Sequence, residues 1–176
     1  MSAVNKHLKL TFEPEGKNFV VDADTSKLRQ VVANLIDNSI KYTDKGFVKV
    51  ALHKKAGDII FDVTDSGIGI DPGDMGRLFQ KFARGSLTLT TTGNGLGLFV
   101  GKKIIDAHKG TIGAESKGKG FGSRFYFTLP ESTGTPTVAT SFADNQAAAK
   151  KLVETKAAQA RAEETRKDTV KILENK

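Results

Sequence analysis

Polar and apolar positions alternate over LKLTFE (8–13), a two-residue period that predicts a short strand ended by Pro14, and the apolar FVV at 19–21 reads as a second. The period then lengthens. Leu28, Val31, Val32, Leu35 and Ile36 fall on one side of a helix predicted over about 25–43, with Asp22 and Asp24 as candidate N-caps and Asp44-Lys45-Gly46 as the stop. FVKVALHK (47–54) and IIFDVTD (59–65) alternate on either side of Ala56-Gly57-Asp58, a hairpin signal. A glycine-rich loop and a short helix around 74–82 follow. Residues 84–95 are rich in Ser, Thr and Gly and read as a mobile loop, and a helix over about 96–108 comes next. GTIGAES (110–116) and SRFYFTL (123–129) make a second hairpin around Lys117-Gly118-Lys119-Gly120, ended by Pro130.

This order of elements lacks the strict strand–helix alternation of a doubly wound parallel sheet. It predicts an α+β two-layer sandwich over residues 1–130, in which a mixed, mostly antiparallel sheet packs on about three helices. Residues 131–145 have linker composition. Residues 146–176 are rich in Ala, Lys and Glu without a sustained heptad, and are expected to be a helical or disordered tail.

Composition removes several chemistries. The chain of 176 residues has no cysteine, which excludes disulfides, zinc–thiolate sites and thiol catalysis. His7, His53 and His108 lie far apart, with no metal-ligand spacing. No apolar run reaches the roughly 20 residues of a membrane span, and no signal-peptide pattern is present. The net charge of +7 is concentrated in residues 1–130. It suits a polyphosphate ligand or an acidic partner. Scattered basic residues with few aromatics between them make nucleic acid the weaker reading.

On the predicted helix, Gln30, Asn34, Asp37, Asn38 and Lys41 form one polar stripe opposite the apolar one. A solvated face is one reading, although Lys and Glu are better helix formers than Asn. The other is a ligand face: neutral amide oxygens suit Mg²⁺ beside phosphates, and a lysine one turn on suits a phosphate oxygen. Asp65-Ser66-Gly67-Ile68-Gly69-Ile70 follows a strand directly, as a hairpin turn or as a carboxylate placed to accept from a purine amino group. Gly93-Asn94-Gly95-Leu96-Gly97-Leu98 opens a helix, where backbone N–H groups bind anions. It is neither a Walker A loop nor a dinucleotide fingerprint.

In order and spacing, NLIDNSIKYT, DSGIGI, LFQKFAR and GNGLGL resemble the N, G1, F and G2 boxes of the sensor histidine kinase catalytic domain. KKIIDAHKGTIGAES and GSRFYFTLP are similar to its closing helix and hairpin, so that the likeness covers about residues 6–130. The resemblance implies the Bergerat ATP-binding sandwich shared with gyrase-type and mismatch-repair ATPases, with ATP and Mg²⁺ as cofactors. Carried across by position, Asn38 would bind Mg²⁺ and Asn34 would lie near metal and phosphates. Lys41 would touch phosphate, and Tyr42 the base or ribose. Asp65 would bind the adenine amino group, in a pocket shaped by Gly67, Gly69 and Ile70. Ser123 would reach Asp65 through water. Phe79 and Phe82 would pack the hinge and core of a lid, from which Arg84 reaches a phosphate. Gly93, Gly95, Leu96, Gly97 and Leu98 would frame the lid's end and the phosphate-facing helix start.

Some positions depart from the pattern. Ser39 stands where alanine is usual, and Lys109 replaces a glycine after His108, which reads as a structural histidine. None of the three histidines has a phosphoacceptor context, and the chain starts where the catalytic domain starts. The acceptor is therefore expected on a separate dimerisation and phosphotransfer domain, in cis or in trans, with a response regulator downstream. A membrane would enter only through a parent protein, and the expected location is the cytoplasm or its side of that membrane. The resemblance also puts an amide, Asn34, where ATP-hydrolysing relatives carry a glutamate as base for water. It thus favours phosphoryl transfer, a protein-histidine kinase, over a gyrase-like ATPase. A non-enzymatic nucleotide-binding regulatory module is the alternative, and a Ser/Thr kinase acting in trans a minor one.

Overall fold

The computed structural model describes residues 6–83 and 95–134. The expectations for the loop at 84–94, most of the linker and the whole tail lie outside the described residues. Five strands form one sheet: β1 (Lys9–Glu15), β2 (Phe47–Lys55), β3 (Asp58–Asp65), β4 (Thr111–Glu115) and β5 (Ser123–Pro130), in the order β1-β2-β3-β5-β4. Among the described strands, only the β1–β2 pair is parallel. The helices are α1 (Thr25–Lys41), α2 (Pro72–Met75) and α3 (Gly97–Ala107). The mixed, mostly antiparallel sandwich predicted from the sequence is what forms.

α1 begins where expected. The Asp24 carboxylate accepts from the Lys27 N–H at 2.9 Å, filling one of the orphan donors of a helix start. Its apolar stripe buries Val31, Leu35, Ile36 and Ile40 against the sheet. The β2–β3 turn is two residues, Ala56 and Gly57, both at positive φ (53° and 86°), which matches the twist of the flanking strands. On the inner face Val48, Val50, Val63, Phe125 and Leu129 meet α1 and Ile105 of α3, and Phe61 stacks on Phe127 at 5.1 Å. α3 ends on His108. Its Nδ1 lies 2.7 Å from the Ile104 carbonyl, and its Nε2 accepts from the Asp24 N–H at 3.0 Å. His108 is thus structural, joining the end of α3 to the start of α1. Lys109, in place of the usual glycine, takes φ of 60° in the turn that follows.

Three expectations fail. β1 runs through Pro14 to Glu15, because β1 is an edge strand where a missing N–H costs no ladder bond. FVV (19–21) is not a strand. Val21 packs on the core and the Val20 carbonyl accepts one bond, from the Ser132 N–H at 2.8 Å. The helix expected over 74–82 shrinks to α2 followed by turns in which Arg77, Gln80 and Ala83 each donate three residues back. Gly73 and Gly76 sit in this stretch, and glycine weakens a helix by about 1 kcal/mol relative to alanine.

Candidate functional site

α1 is the spine of the site. Near its middle, Asn34 lies against the start of α3. A Cβ on Gly97 would sit 2.3 Å from Asn34 Oδ1, so only glycine lets α3 approach this closely. Asn34 Nδ2 is buried without a hydrogen-bond partner. Gln30 and Asn34 on one side, and Leu96 and Gly97 on the other, line an open cleft between the helices. α3 begins at Leu96 with no side-chain cap and no acidic residue in its first turn. Its leading N–H groups carry the positive end of the helix dipole into a cleft that also holds an unsatisfied amide donor. This end of the site is built for an anion.

The other end lies about 12 Å along α1, at a rise of 1.5 Å for each residue from Asn34 to Tyr42. The Tyr42 carbonyl accepts from the Ile68 N–H at 3.0 Å, which ties the helix end to the loop after β3. A Cβ on Gly67 would stand 2.3 Å from that carbonyl, 2.7 Å from Thr43 Oγ1 and 2.9 Å from Asp65 Oδ1. Asp65 is buried at the end of β3. Its Oδ1 accepts from the N–H groups of Gly67 at 2.9 Å and Ser123 at 3.2 Å, and its Oδ2 from the Ser123 hydroxyl at 2.6 Å. The Ser123 contact is therefore direct, not through water, because the β3–β5 register sets Asp65 opposite Ser123. A carboxylate offers about four lone-pair sites. One on Oδ2 remains for an incoming donor.

The β4–β5 loop braces this end. Gly120 and Gly122 donate to the carbonyls of Ile68 and Gly67 at 2.7 and 3.1 Å. Ser116 Oγ accepts from the Ile70 N–H at 3.1 Å and donates to the Gly122 carbonyl at 2.7 Å. Gly69, at φ of 71°, lets the Gly118 carbonyl approach where a Cβ would clash at 2.0 Å. Lys119 pairs with Asp71 at 2.9 Å; this bond, with that from the Gly73 N–H, holds the Asp71 carboxyl below the ordinary aspartate range.

Of the other predicted residues, Asn38 is half-buried one turn after Asn34, and Lys41 Nζ stands 5.0 Å from the centre of the Tyr42 ring. Ile70 and Leu98 are partly buried on the core, and Leu96 occupies the position before α3 without a side-chain hydrogen bond to it. Gly95, at φ of 63°, packs on the backbone of Phe82 and Ala83, joining the second glycine motif to LFQKFAR. The two phenylalanines of that motif part company. Phe79 packs on the core as expected, whereas Phe82 is 64% exposed at φ of 62°, since the turn that brings Ala83 to Gly95 directs it outward. Arg84 and Gly93 lie outside the described residues. The sequence reading missed Thr43 and Ser116. Thr43 Oγ1 is buried without a partner beside Gly67 and Asp65, and its one signal was a hydroxyl directly after the helix end.

A model of the family described as "Histidine kinase-, DNA gyrase B-, and HSP90-like ATPase" matches residues 23–133. The chain belongs to that family. The adaptive-response sensory kinase SasA of Synechocystis sp. is 41% identical over 127 residues, 71% of this chain and 33% of that kinase. The sensor-like histidine kinase SenX3 of Mycobacterium tuberculosis is 40% identical over 116 residues, 64% of this chain and 28% of that one. The nucleotide-free catalytic domain of histidine kinase ThkA superposes with a TM-score of 0.63 at 30% identity, covering 73% of this chain and 84% of that one. Full-length ShkA in complex with AMPPNP gives 0.66 at 28% identity, covering 77% and 28%. The chain spans about a third or less of the length of these curated relatives. Its body is an ATP-binding domain of the histidine kinase type.

Proposed function

We propose that this domain binds Mg-ATP with adenine at Asp65 and phosphates between Asn34 and the start of α3, and donates the γ-phosphoryl group to a histidine. That histidine would lie on a dimerisation and phosphotransfer domain of a two-component system, with a response regulator as the next acceptor. The observation that carries the reading is Asn34. The polar side chain at the phosphate end is an amide, with a buried donor lacking a partner. An amide takes no proton from water at neutral pH, so it holds a phosphate oxygen without generating a nucleophile.

Among the described residues, no three His, Cys, Asp or Glu side chains come together. A divalent ion here would therefore rest on the Asn38 amide oxygen, phosphate oxygens and water, the coordination that suits Mg²⁺. When bound, Mg²⁺ neutralises charge on the β- and γ-phosphates. The residues of this chain supply the rest. Asn34 and the α3 N–H groups orient the phosphates, Lys41 balances their charge, and Asp65 with Tyr42 fixes the base. A neutral imidazole nitrogen on the partner domain attacks phosphorus in line. The N–P bond forms, the bond to the bridging oxygen breaks, and ADP leaves with its electron pair. The protein's part is positional and electrostatic.

Residues 1–130 are read as this domain, 131–145 as a linker and 146–176 as an appended tail. No helix among the described residues is long and apolar enough to cross a membrane, and a cytoplasmic site of action is proposed from the need for ATP. The test supplies ATP labelled at the γ-phosphate, Mg²⁺ and a helix-pair domain bearing the acceptor histidine. Acid-labile phosphohistidine is expected. Tight Mg-ATP binding without transfer, or release of inorganic phosphate by the domain alone, would refute the proposal.

A further inference from the structure

The last turn of α1 and its cap carry Asn38, Lys41 and Tyr42; the Asn38 carbonyl accepts from the Tyr42 N–H at 3.0 Å, and the helix itself offers no donor to the carbonyls that follow. A residue from outside the four sequence motifs meets them. Lys6 Nζ lies 2.7 Å from the Lys41 carbonyl, 2.9 Å from the Thr43 carbonyl and 3.3 Å from the Ile40 carbonyl, and pairs with Asp44 at 3.0 Å. The Lys6 side chain is only 13% exposed. Its charge is held at the negative end of the helix dipole, where a cation is stabilising. His7, at φ of 52°, turns the chain just before β1, and Lys9 N–H is fixed to the Gly46 carbonyl at 2.9 Å.

The two carbonyls nearest Lys6 flank the Tyr42 carbonyl, which is bonded to Ile68 in DSGIGI. Lys6 thus grips the backbone on both sides of the Ile68–Tyr42 hydrogen bond, which joins the end of the proposed metal-and-phosphate helix to the proposed adenine loop. Without the ammonium, the Lys41 and Thr43 carbonyls lose their donor. The turn would relax toward water, carrying Asn38 and Tyr42 away from Asp65 and Gly67. We infer that Lys6 is a positioning residue for nucleotide binding, acting through the α1 end rather than by touching the ligand. This rests on the nucleotide reading of the site.

The test compares wild type with Lys6→Met, Lys6→Gln and Lys6→Arg in the full chain, measuring Mg-ADP affinity by calorimetry and apo stability by thermal unfolding. Lys6→Met is expected to weaken Mg-ADP about tenfold, the equivalent of one charge-assisted hydrogen bond. Lys6→Gln, which keeps one donor, is expected to fall between, and serves if the methionine variant does not fold. Lys6→Arg is expected to restore most of the affinity. Ile59→Val, a core change on β3, is the control, lowering stability by a similar margin with affinity unchanged. Hydrogen exchange without nucleotide should show loss of protection at the Tyr42 and Ile68 amides in Lys6→Met alone. Affinity of the methionine or glutamine variant within twofold of wild type, or equal weakening by Ile59→Val, would overturn the assignment while the nucleotide reading stands. Failure of wild type to bind Mg-ADP would overturn that reading and Lys6's role with it.

Discussion

Replacing Asp65 by asparagine separates what this carboxylate does for the fold from what it does for a ligand. In the wild type Oδ1 accepts from two backbone N–H groups and Oδ2 from the Ser123 hydroxyl. An asparagine placed with its oxygen at the Oδ1 position keeps both backbone bonds, weakened by the loss of charge, and turns its NH₂ toward Ser123. The serine hydroxyl can rotate and accept, so no buried group is orphaned. The stability cost is the difference between charged and neutral hydrogen bonds, about 2 kcal/mol over the three. That corresponds to a fall in Tm of roughly 8 °C for a body of this size. The ligand effect is larger. The lone pair left on Oδ2 is the acceptor proposed for the adenine amino group, and the variant presents a donor there. Donor then faces donor in a desolvated pocket, a loss of about 2.8 kcal/mol or about 100-fold in Kd. Inosine triphosphate carries a carbonyl in place of that amino group and should bind the variant better than ATP does. Calorimetry with Mg-ATP and Mg-ITP, at a temperature where both proteins are folded, measures both effects. ATP affinity within threefold of wild type, or an unchanged ratio of ATP to ITP affinity, would refute the assignment of Asp65.

Gly97→Ala forces a Cβ to 2.3 Å from Asn34 Oδ1; overpacking of about 1–3 kcal/mol is expected to expel Asn34 from the cleft and weaken Mg-ATP more than about tenfold, as read by calorimetry. Ser39→Ala removes a buried hydroxyl with no partner, and is expected to stabilise by about 1 kcal/mol, seen as a higher urea midpoint with nucleotide affinity unchanged. Because the Lys119 bond and the Gly73 N–H depress the Asp71 carboxyl, its contribution is present above the ordinary aspartate range and is lost as pH falls through its lowered folded value. Urea midpoints from about pH 5 to about pH 2 should fall more steeply in wild type than in Lys119→Met.

What could be read in advance was what a residue's own period or backbone imposes. The stripe of Gln30, Asn34 and Asn38 follows from 3.6 residues per turn, and Asp24 announces its helix by the chemistry of its cap. Ala56-Gly57-Asp58 signals a turn whichever strands it joins, although Asp58 already belongs to β3 and the turn itself is the two residues before it. Most of the errors have a different origin, a partner distant in sequence; the shortened helix at Pro72–Met75, with its local Gly73 and Gly76, is the exception. Pro14 is tolerated because β1 lies at the sheet edge, a fact about strand order. FVV is apolar enough for a strand, but it forms no strand among the described residues, and the Val20 carbonyl accepts from Ser132, beyond β5 and more than a hundred residues away in sequence. Ser123 meets Asp65 directly through a register linking residues 58 apart, and Lys6 meets Lys41 across 35.

The same division runs through the site. The groups proposed to face the ligand lie within compact motifs, because a helix face or a glycine turn can present several of them at once. Of the groups that hold those motifs together, Lys6 on the α1 end and Ser116 on the first glycine loop sit outside the four boxes and act on backbone, and Gly97 on Asn34 lies in the second glycine box but acts by absence of a side chain. A carbonyl has no residue identity, and a missing Cβ leaves no pattern, so periodicity is silent about both. The motifs therefore point to the ligand proposed for the domain, while the spacing between its proposed phosphate and base ends is set in part by Lys6 and Ser116, which none of the four boxes contains. Substitutions that alter nucleotide affinity without touching nucleotide should concentrate at those braces.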